Sequence, residues 1–455
     1  MTANFSLPER RAVAALASIY FLRMLGLFLV LPVLAVHSRD YADATPALIG
    51  VAVGVYGLTQ ALLQIPFGLA SDRWGRRPVI VFGLALFAVG SVIAAQADSL
   101  IGVIVGRAVQ GSGAIAAAVL ALNADLTREE SRTRAMAVIG MSIGLAFFLS
   151  LLLGPALSGA LGLSGLFWVT ALLAGLGLLI VLLALPGASA ARLHRDAMPV
   201  WGELRAVLRN GELLRLDFGI LALHAILTAL FVAVPLALHA LPLPVESHWQ
   251  VYAVVLLLSV FGAAPMLLLA ERRRRMKPVL VAAVGLLALA LHGLIYAHHS
   301  MLWIGAWLAV FFVAFNVLEA CLPSLVSKIA PAQRKGSAMG VYSTSQFLGA
   351  FLGGVIGGLA LARYGLAGVF GVTAVMALLW LAVAVGMRPP RHLASRVLRL
   401  PMMDEAKAQA LGLELSRVGG VVEAVVFADQ GVAYLKVDNG ALDEAQLAAI
   451  ASPSA

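Results

Sequence analysis

The fold is decided by a short stretch of sequence that occurs twice. Residues 162–171 read GLSGLFWVTA and residues 365–374 read GLAGVFGVTA, a constant shift of 203 positions. The same shift carries the Ala-Met pair at 135–136 onto the Ala-Met pair at 338–339. Self-similarity at one fixed spacing is the signature of a repeated unit. We therefore interpret most of the chain as two copies of one unit in tandem.

The composition places both copies in a membrane. The 455 residues are 61% hydrophobic and 12% charged, and the mean hydropathy is +0.96. This is more apolar side chain than a soluble core can bury. A bilayer-spanning helix needs about 20 apolar residues, and roughly twelve such runs precede residue 388. A soluble enzyme is excluded, and we expect no enzymatic activity.

Six apolar runs fall in each copy. The predicted helices lie near 12–37, 48–70, 78–96, 100–122, 135–160, 164–186, 214–240, 249–270, 278–297, 302–325, 337–361 and 367–387. We predict an all-α membrane protein with two six-helix bundles, residues 1–186 and 214–389, joined by a cytoplasmic linker at 187–213. Parallel repeats of this kind place a transporter's binding site between the two halves.

The positive charges orient the bundles. The N-terminus, alternate loops and the start of the tail hold 23 Lys and Arg residues, against Arg39 and Arg363 on the other side. Because cytoplasmic loops carry the excess of Lys and Arg, both termini are predicted to be cytoplasmic. The net charge of +9 therefore reflects membrane orientation, and we expect no nucleic-acid partner. The first apolar run is too long for a signal-peptide core, which predicts a retained first helix.

The loop after the second predicted helix carries the most specific motif. Residues 68–78 read GLASDRWGRRP, which matches the pattern G-x-x-x-D-[RK]-x-G-[RK]-[RK] at every position. In this motif the chain resembles the major facilitator superfamily. The resemblance implies a cytoplasmic gate in which Asp72 holds the two halves together near Gly336. The residues assigned to this gate are Gly68, Asp72, Arg73, Gly75, Arg76, Arg77 and Asp125. Membrane topology alone also accounts for arginines in a cytoplasmic loop.

Predicted helices four and five resemble proton-coupled drug antiporters of this superfamily. Residues 107–111 read RAVQG, which matches R-x-x-Q-G, and Gly154, Pro155 and Gly159 match part of G-x8-G-x3-G-P-x-x-G-G. The resemblance implies that Arg107 tunes or relays a proton. Each motif also has a purely structural alternative. Arg107 can snorkel to the outer surface about 10 Å away, and small residues in helix five can serve close helix packing.

Four ionisable side chains lie deep in the predicted spans: Arg23, Arg107, His224 and Glu319. A charge at this depth is costly unless it meets water or a polar partner. In the superfamily the helices that carry them line the central cavity, so the resemblance implies that all four face it. Histidine and glutamate can exchange protons near neutral pH when their surroundings allow. His224 and Glu319 are therefore candidate proton carriers, and a neutral, hydrogen-bonded His224 is the alternative.

Other polar residues in the spans are candidates for gate salt bridges or for contact with substrate. Asp125 and Asp217 lie nearer the cytoplasmic ends, and we expect them to form gate salt bridges with Arg128, Arg132 or Arg215. The candidates for contact with substrate are Gln60, Gln64, Asn316, Tyr342 and Gln346.

After Pro390 the composition changes to mixed charge and short alternating runs. Strands are predicted at 396–400, 421–428 and 431–437, and helices at 404–417 and 441–451. The order βαββα over 392–451 resembles a small cytoplasmic α+β ferredoxin-like domain that lacks its last strand. Metal carriers of that shape bind through paired cysteines, whereas this chain has only Cys321. We expect no metal, no cofactor and no intramolecular disulfide, and no residue pattern indicates a partner for this domain.

Together these features predict a multi-pass protein of the bacterial inner membrane that exports a small drug-like or metabolite solute in exchange for protons. Its partners are the solute, protons and the lipid bilayer. Two alternatives remain. Arg23 and Arg107 can instead clamp an organic anion in an importer or exchanger, or the membrane part can be a ligand sensor that signals through the tail.

Overall fold

The computed structural model describes residues 5–185, 201–273, 275–297, 299–331, 334–388, 394–428, 431–438 and 440–451. Within these ranges, ten helices are long and apolar enough to cross a membrane. Eight of them match predicted spans one to one, and the other two each contain a pair of predicted spans.

Glycine divides both of the very long helices. Each has a candidate span of 51 residues, which as a straight helix would be about 77 Å long, more than twice the hydrocarbon core. Gly162 (φ 62°) interrupts one and Gly365 (φ 67°) the other, in a backbone region that favours glycine. These are the first residues of the two repeated decapeptides. The twelve predicted spans are therefore confirmed, and the repeat marks the turn between the fifth and sixth span of each half.

Residues 5–185 of the N-terminal half form seven α-helices. They are α1 (Leu7–Leu29), α2 (Leu31–His37), α3 (Pro46–Trp74), α4 (Arg76–Ala95), α5 (Leu100–Ser112), α6 (Ala116–Leu126) and α7 (Glu129–Ala184). The chain reverses within α7. Ser131 donates to Glu9 near the start of α1 (3.0 Å), and the Leu182 carbonyl accepts from Arg77 at the start of α4 (2.7 Å), so both ends of α7 lie on the cytoplasmic side.

Two predicted spans of this half are broken in the structure. The first is divided at Val30, which is followed by Pro32 in the first turn of α2. The fourth is divided between Ser112 and Ala116, where Gly113 leaves the helical conformation. A Cβ on Gly113 would lie 2.2 Å from the carbonyl oxygen of Gly83, so only glycine fits this close approach of α4.

The described residues between 201 and 388 form six further α-helices, one in the linker and five in the C-terminal half. They are α8 (Trp201–Val207), α9 (Gly211–His239), α10 (His248–Arg272), α11 (Met276–Ala297), α12 (Met301–Ile329) and α13 (Lys335–Val385). The short helix α8 lies within the predicted linker 187–213, and the part of that linker before residue 201 is outside the described residues. As in α7, the chain reverses direction within α13. Gly357 packs on Ala229 of α9, whereas the later residue Trp380 packs beside the earlier residue Gly219 of α9.

Glycines pack α3 of one half against α13 of the other. A Cβ on Gly50 would lie 2.2 Å from the Gly354 carbonyl oxygen, and one on Gly57 would lie 2.5 Å from that of Phe347. The two segments are antiparallel, because the earlier residue of α3 meets the later residue of α13. Small residues allow helix backbones to approach closely in membranes. The halves are in backbone contact over this stretch, which is in the periplasmic part of both helices.

Further contacts join the two halves near the periplasmic side and deeper in the membrane. Gly159 of α7 packs on the side chain of Glu246, just before α10. Deeper in the membrane, the ring of Phe147 in α7 lies 6.2 to 6.3 Å from the rings of Phe231, Phe312 and Phe315 in the other half. On the cytoplasmic side Gly336, at the start of α13, is exposed. This arrangement closes the periplasmic side.

The C-terminal domain has the predicted order of elements. Its elements are β1 (Ala394–Arg399), α14 (Glu405–Leu415), β2 (Val421–Phe427), β3 (Val432–Val437) and α15 (Glu444–Ala451). The antiparallel sheet has the order β1-β3-β2, so β3 separates the two strands that α14 connects. Asp404 caps α14 by accepting from the Lys407 N–H. Lys436 donates to the Ala330 carbonyl oxygen at the end of α12 (2.6 Å).

Candidate transport site and gates

Three of the predicted site residues meet in the C-terminal half, from three different helices. The Nε2 atoms of Gln346 (α13) and His224 (α9) are 2.8 Å apart, and Gln346 Nε2 is 3.4 Å from Glu319 Oε1 (α12). His224 lies 13 residues into α9, and Glu319 lies 10 residues before the end of α12. At 1.5 Å per residue both are about 15 to 20 Å from the cytoplasmic helix ends, near the middle of the membrane. All three side chains are half-buried.

Further polar and aromatic groups surround this cluster. Tyr342 precedes Gln346 by one helical turn and is 4% exposed, close enough to Glu319 for the two groups to interact electrostatically. The ring of Phe315 lies 6.2 Å from that of His224. The remaining candidate of this half, Asn316, donates to Ser259 of α10 (3.0 Å). Tyr342 and Gln346 therefore adjoin the ionisable pair, whereas Asn316 bonds to a neighbouring helix.

Arg23 is the centre of a polar network within the N-terminal half. It is 1% exposed, and its Nη2 donates to Tyr56 Oη (2.9 Å), Gln60 Oε1 (3.0 Å) and the Gly113 carbonyl oxygen (2.7 Å). Gln60 in turn donates to Gln64 (3.0 Å). Arg23 thus satisfies a carbonyl that the break in the fourth span frees, which is a structural role beyond the predicted one.

Arg107 bonds to backbone rather than to a side chain. It is 1% exposed, its Nε donates to the Ala52 carbonyl oxygen (2.6 Å), and its Nη2 donates to that of Val53 (3.3 Å). Its guanidinium carbon lies 6.0 Å from the centre of the Tyr56 ring, which Arg23 also contacts. These bonds account for a charge buried at this depth, and Tyr56 places the two arginines in one network.

The cytoplasmic motif forms a compact ion-pair cluster. Arg76 pairs with Asp72, donates to Ser71 (2.7 Å) and lies 3.4 Å from Asp125 at the end of α6. The structure therefore brings together three residues assigned to the gate. The Asp72 carboxylate is bonded within its own half, and Gly336 is exposed, so the expected contact between them stays a prediction for the state closed to the cytoplasm.

The other residues of that motif shape the loop. Gly75 has φ +93°, which allows the chain to turn between α3 and α4. A Cβ on Gly68 would lie 3.5 Å from the Cβ of Ala117, an ordinary packing distance. Arg77 holds the end of α7, whereas Arg73 is exposed. The cluster is therefore made by Asp72, Arg76 and Asp125, and the glycines support it.

The helix-five motif lies at helix contacts. A Cβ on Gly154 would be 2.3 Å from the Leu29 carbonyl oxygen and 3.1 Å from Pro32. Pro155 lies inside α7 next to this contact, and its carbonyl accepts from Ser158 (2.8 Å). Gly159 faces Glu246 of the other half. The motif therefore fits α7 against the junction of α1 and α2 and against the other half.

Sequence reasoning missed the aromatic cluster and misassigned the partners of two carboxylates. Phe147, Phe231, Phe312 and Phe315 are hydrophobic residues in apolar spans, where no periodic signal separates them from lipid-facing positions. Asp125 pairs with Arg76 (3.4 Å), which was not among its expected partners. The expected pairing of Asp217 with Arg215 is wrong, because Arg215 pairs with Glu212 (2.5 Å). Residues two apart point to different faces of a helix, whereas residues three apart are neighbours.

Two repeated six-helix bundles with ionisable groups buried at mid-membrane depth are the architecture of a membrane transporter. The chain belongs to the Major Facilitator Superfamily, whose family model matches residues 16–354 and 316–412. It is 46% identical over 431 residues, 95% of each chain, to the inner membrane transport protein YajR of Escherichia coli K12. It is a multi-pass protein of the bacterial inner membrane.

Two further proteins are similar to the chain, one in sequence over half of its length and one in fold. It is 32% identical to the class G tetracycline resistance protein of Vibrio anguillarum over 250 residues, 52% of this chain and 61% of that protein. Its fold matches a crystal structure of a bacterial homologue of the human lysosomal transporter Spinster, with a TM-score of 0.69 at 16% identity. That match covers 85% of this chain and 98% of the other.

Proposed function

We propose that this protein exports a small drug-like or metabolite solute across the inner membrane in exchange for protons, by alternating access. The observation that carries the proposal is the contact of Gln346 with both His224 and Glu319 at mid-membrane depth. Two groups that can exchange protons, joined by one amide, respond together when either changes its charge. The similarity to a tetracycline resistance protein supports the export direction.

Gln346 gives this cluster two arrangements. Its NH2 group donates to Glu319 and faces Nε2 of His224, which accepts when the ring is neutral and carries its proton on Nδ1. A proton on His224 Nε2 converts that acceptor into a donor, so Gln346 must turn its carbonyl oxygen toward the ring. A proton on Glu319 Oε1 has the same effect at the carboxyl. The orientation of one amide therefore couples the protonation of the pair to the packing of α9, α12 and α13.

The cytoplasmic cluster supplies the gate of this proposal. In the state with the periplasmic side closed, Asp72 and Asp125 bind Arg76. When the cytoplasmic ends close, Asp72 is placed to reach the start of α13, whose N-terminal N–H groups attract an anion. The bond of Asp72 to Arg76 then accompanies the state closed on the periplasmic side, and its contact with α13 stabilises the state closed on the cytoplasmic side.

Transport in proteoliposomes tests the proposal. We expect an imposed pH gradient to drive efflux of ethidium or tetracycline by the wild type, and Glu319→Gln or His224→Ala to abolish the dependence on the gradient. Matched controls in the same half are Glu271→Gln and His292→Ala, both at exposed positions. Gradient-driven flux that is unchanged in both cluster variants contradicts the proposal.

A second function, transport of organic anions, has one specific observation in its favour. Arg23 is 1% exposed, yet its Nε and Nη1 atoms have no hydrogen-bond partner among the described residues. A guanidinium with free N–H groups can donate a charge-assisted hydrogen bond to a carboxylate. Uptake of benzoate that requires Arg23 and is insensitive to Glu319→Gln would favour this function over proton-driven export.

A further inference from the structure

Asp217 is a buried carboxyl group that the proposed mechanism does not use. It is 6% exposed, and its Oδ2 has no hydrogen-bond partner within the part of the chain that the structure describes. The neighbouring cation, Arg215, binds Glu212 instead. An ionised carboxylate buried without a cation costs several kcal/mol. This cost is removed when the group binds a proton, which is the property that a relay site needs.

Helix geometry aligns Asp217 with the Glu319 cluster. Asp217 and His224 are seven residues apart, two turns on one face of α9. The parallel segment of α13 presents Tyr342 and Gln346, one turn apart, to that face. Asp217 lies six residues from the start of α9, about 9 Å from the cytoplasmic end at 1.5 Å per residue. It is therefore between the cytoplasm and the cluster.

Tyr342 connects the two carboxyl groups. It is 4% exposed, its hydroxyl has no partner among the described residues, and it stands one helical turn before Gln346, which contacts Glu319. A phenol can donate one proton while it accepts another. The α13 segment packs on this part of α9, where a Cβ on Gly349 would meet the backbone of Leu221, and Tyr342 lies two turns before Gly349. Arg215 and Glu212, near Asp217 on its own helix, bind each other.

We propose that Asp217 is the cytoplasmic release site of the proton pathway and that Tyr342 relays the proton to it from Glu319. In this step the Tyr342 hydroxyl first forms hydrogen bonds to both carboxyl groups. The Glu319 carboxyl then gives its proton to the Tyr342 oxygen as the Tyr342 hydroxyl gives its own proton to Asp217. Tyr342 is neutral before and after, Glu319 becomes a carboxylate, and Asp217 becomes a carboxylic acid. Asp217 then loses the proton to cytoplasmic water. The inference rests on the proposed proton-coupled function.

Infrared difference spectroscopy of the full-length protein in liposomes tests this step without a known substrate. The carbonyl stretch of a protonated carboxyl is recorded as the pH is varied. We expect two such bands from buried groups in the wild type. Asp217→Asn should remove one and Glu319→Gln the other, whereas Asp98→Asn, at an exposed loop position, should leave both. Asp217→Glu should restore a band, which separates loss of the group from misfolding.

The outcomes separate this inference from the function on which it rests. A spectrum of Asp217→Asn identical to the wild type, with a band lost in Glu319→Gln, overturns the role of Asp217 and leaves proton coupling at Glu319 intact. Loss of no band in either variant overturns both. Tyr342→Phe should retain both bands and slow the pH-driven flux of ethidium. Flux at the wild-type rate in that variant overturns the relay through Tyr342.

Discussion

The glycine contact between α3 and α13 gives the sharpest test of how the two halves meet. In Gly354→Ala, the added Cβ would lie 2.4 Å from the Gly50 carbonyl oxygen and 2.8 Å from the Cα of Gly54. Both obstacles are backbone, so no side chain can rotate away. Overpacking of this kind costs about 1–3 kcal/mol. The cost applies only while the periplasmic ends are in contact.

Alternating access turns that cost into a population shift. A penalty of about 1–3 kcal/mol on one state changes the ratio of the two states by about 5- to 150-fold. Gly354→Ala should therefore populate a state with separated periplasmic ends. The matched control is Gly285→Ala in α11, where a Cβ meets nothing within 4 Å.

Distances between spin labels measure this shift. Labels at exposed Asp98 and Met301, one in each half, report the periplasmic separation in a Cys321→Ala background. We expect a longer distance to appear in Gly354→Ala and the wild-type distribution in Gly285→Ala. Equal distributions in the two variants would refute the reasoning, because the contact would then not control the conformation.

Three further outcomes are expected. Arg76→Gln removes the cation that Asp72 and Asp125 share, and it should slow the transport cycle measured with ethidium in proteoliposomes. A rate equal to that of the wild type would argue against a gate at this cluster. The backbone N–H groups of Leu100 and Ile101 donate to Asp43 and lower its pKa, so its stabilising effect should be present above pH about 4 and be lost as the pH falls through the lowered value. Asp43→Asn should accordingly lower the melting temperature at neutral pH and have little effect in acid, and an equal loss at both contradicts this. Lys436→Met removes the bond to the end of α12 and should speed proteolytic release of the C-terminal domain, whereas cleavage at the wild-type rate would show that this bond does not hold it.

The broad fold was predictable because apolar length and repetition are strong signals. Runs of about 20 apolar residues predict membrane helices directly. The repeated decapeptides predict the duplication, and their first residues, Gly162 and Gly365, are the turns that the structure contains. The break at Gly113 was not predictable, because the residues around it are apolar and hydropathy does not detect a three-residue interruption. The close approach of Gly83 that requires it is a tertiary contact.

The candidate site was predictable in its members and not in its contacts. An ionisable residue deep in an apolar span is visible in sequence, which identified Glu319 and His224. Their link through Gln346 depends on how three helices rotate against one another, and no single-chain pattern gives that rotation. The pairing of Asp217 with Arg215 was wrong for a local reason, because residues two apart point to different faces of a helix, and the structure buries the Asp217 side chain instead.

Protonation of the Glu319 cluster is proposed to drive the change between the state open to the cytoplasm and the state open to the periplasm. The most direct test is the distance between spin labels at Asp98 and Met301, measured between pH of about 5 and 8, the range in which histidine and perturbed carboxyl groups titrate. We predict that the wild-type distribution changes with pH and that Glu319→Gln, which mimics the protonated carboxyl, holds the acidic distribution at every pH. A pH response in Glu319→Gln equal to that of the wild type would contradict the account.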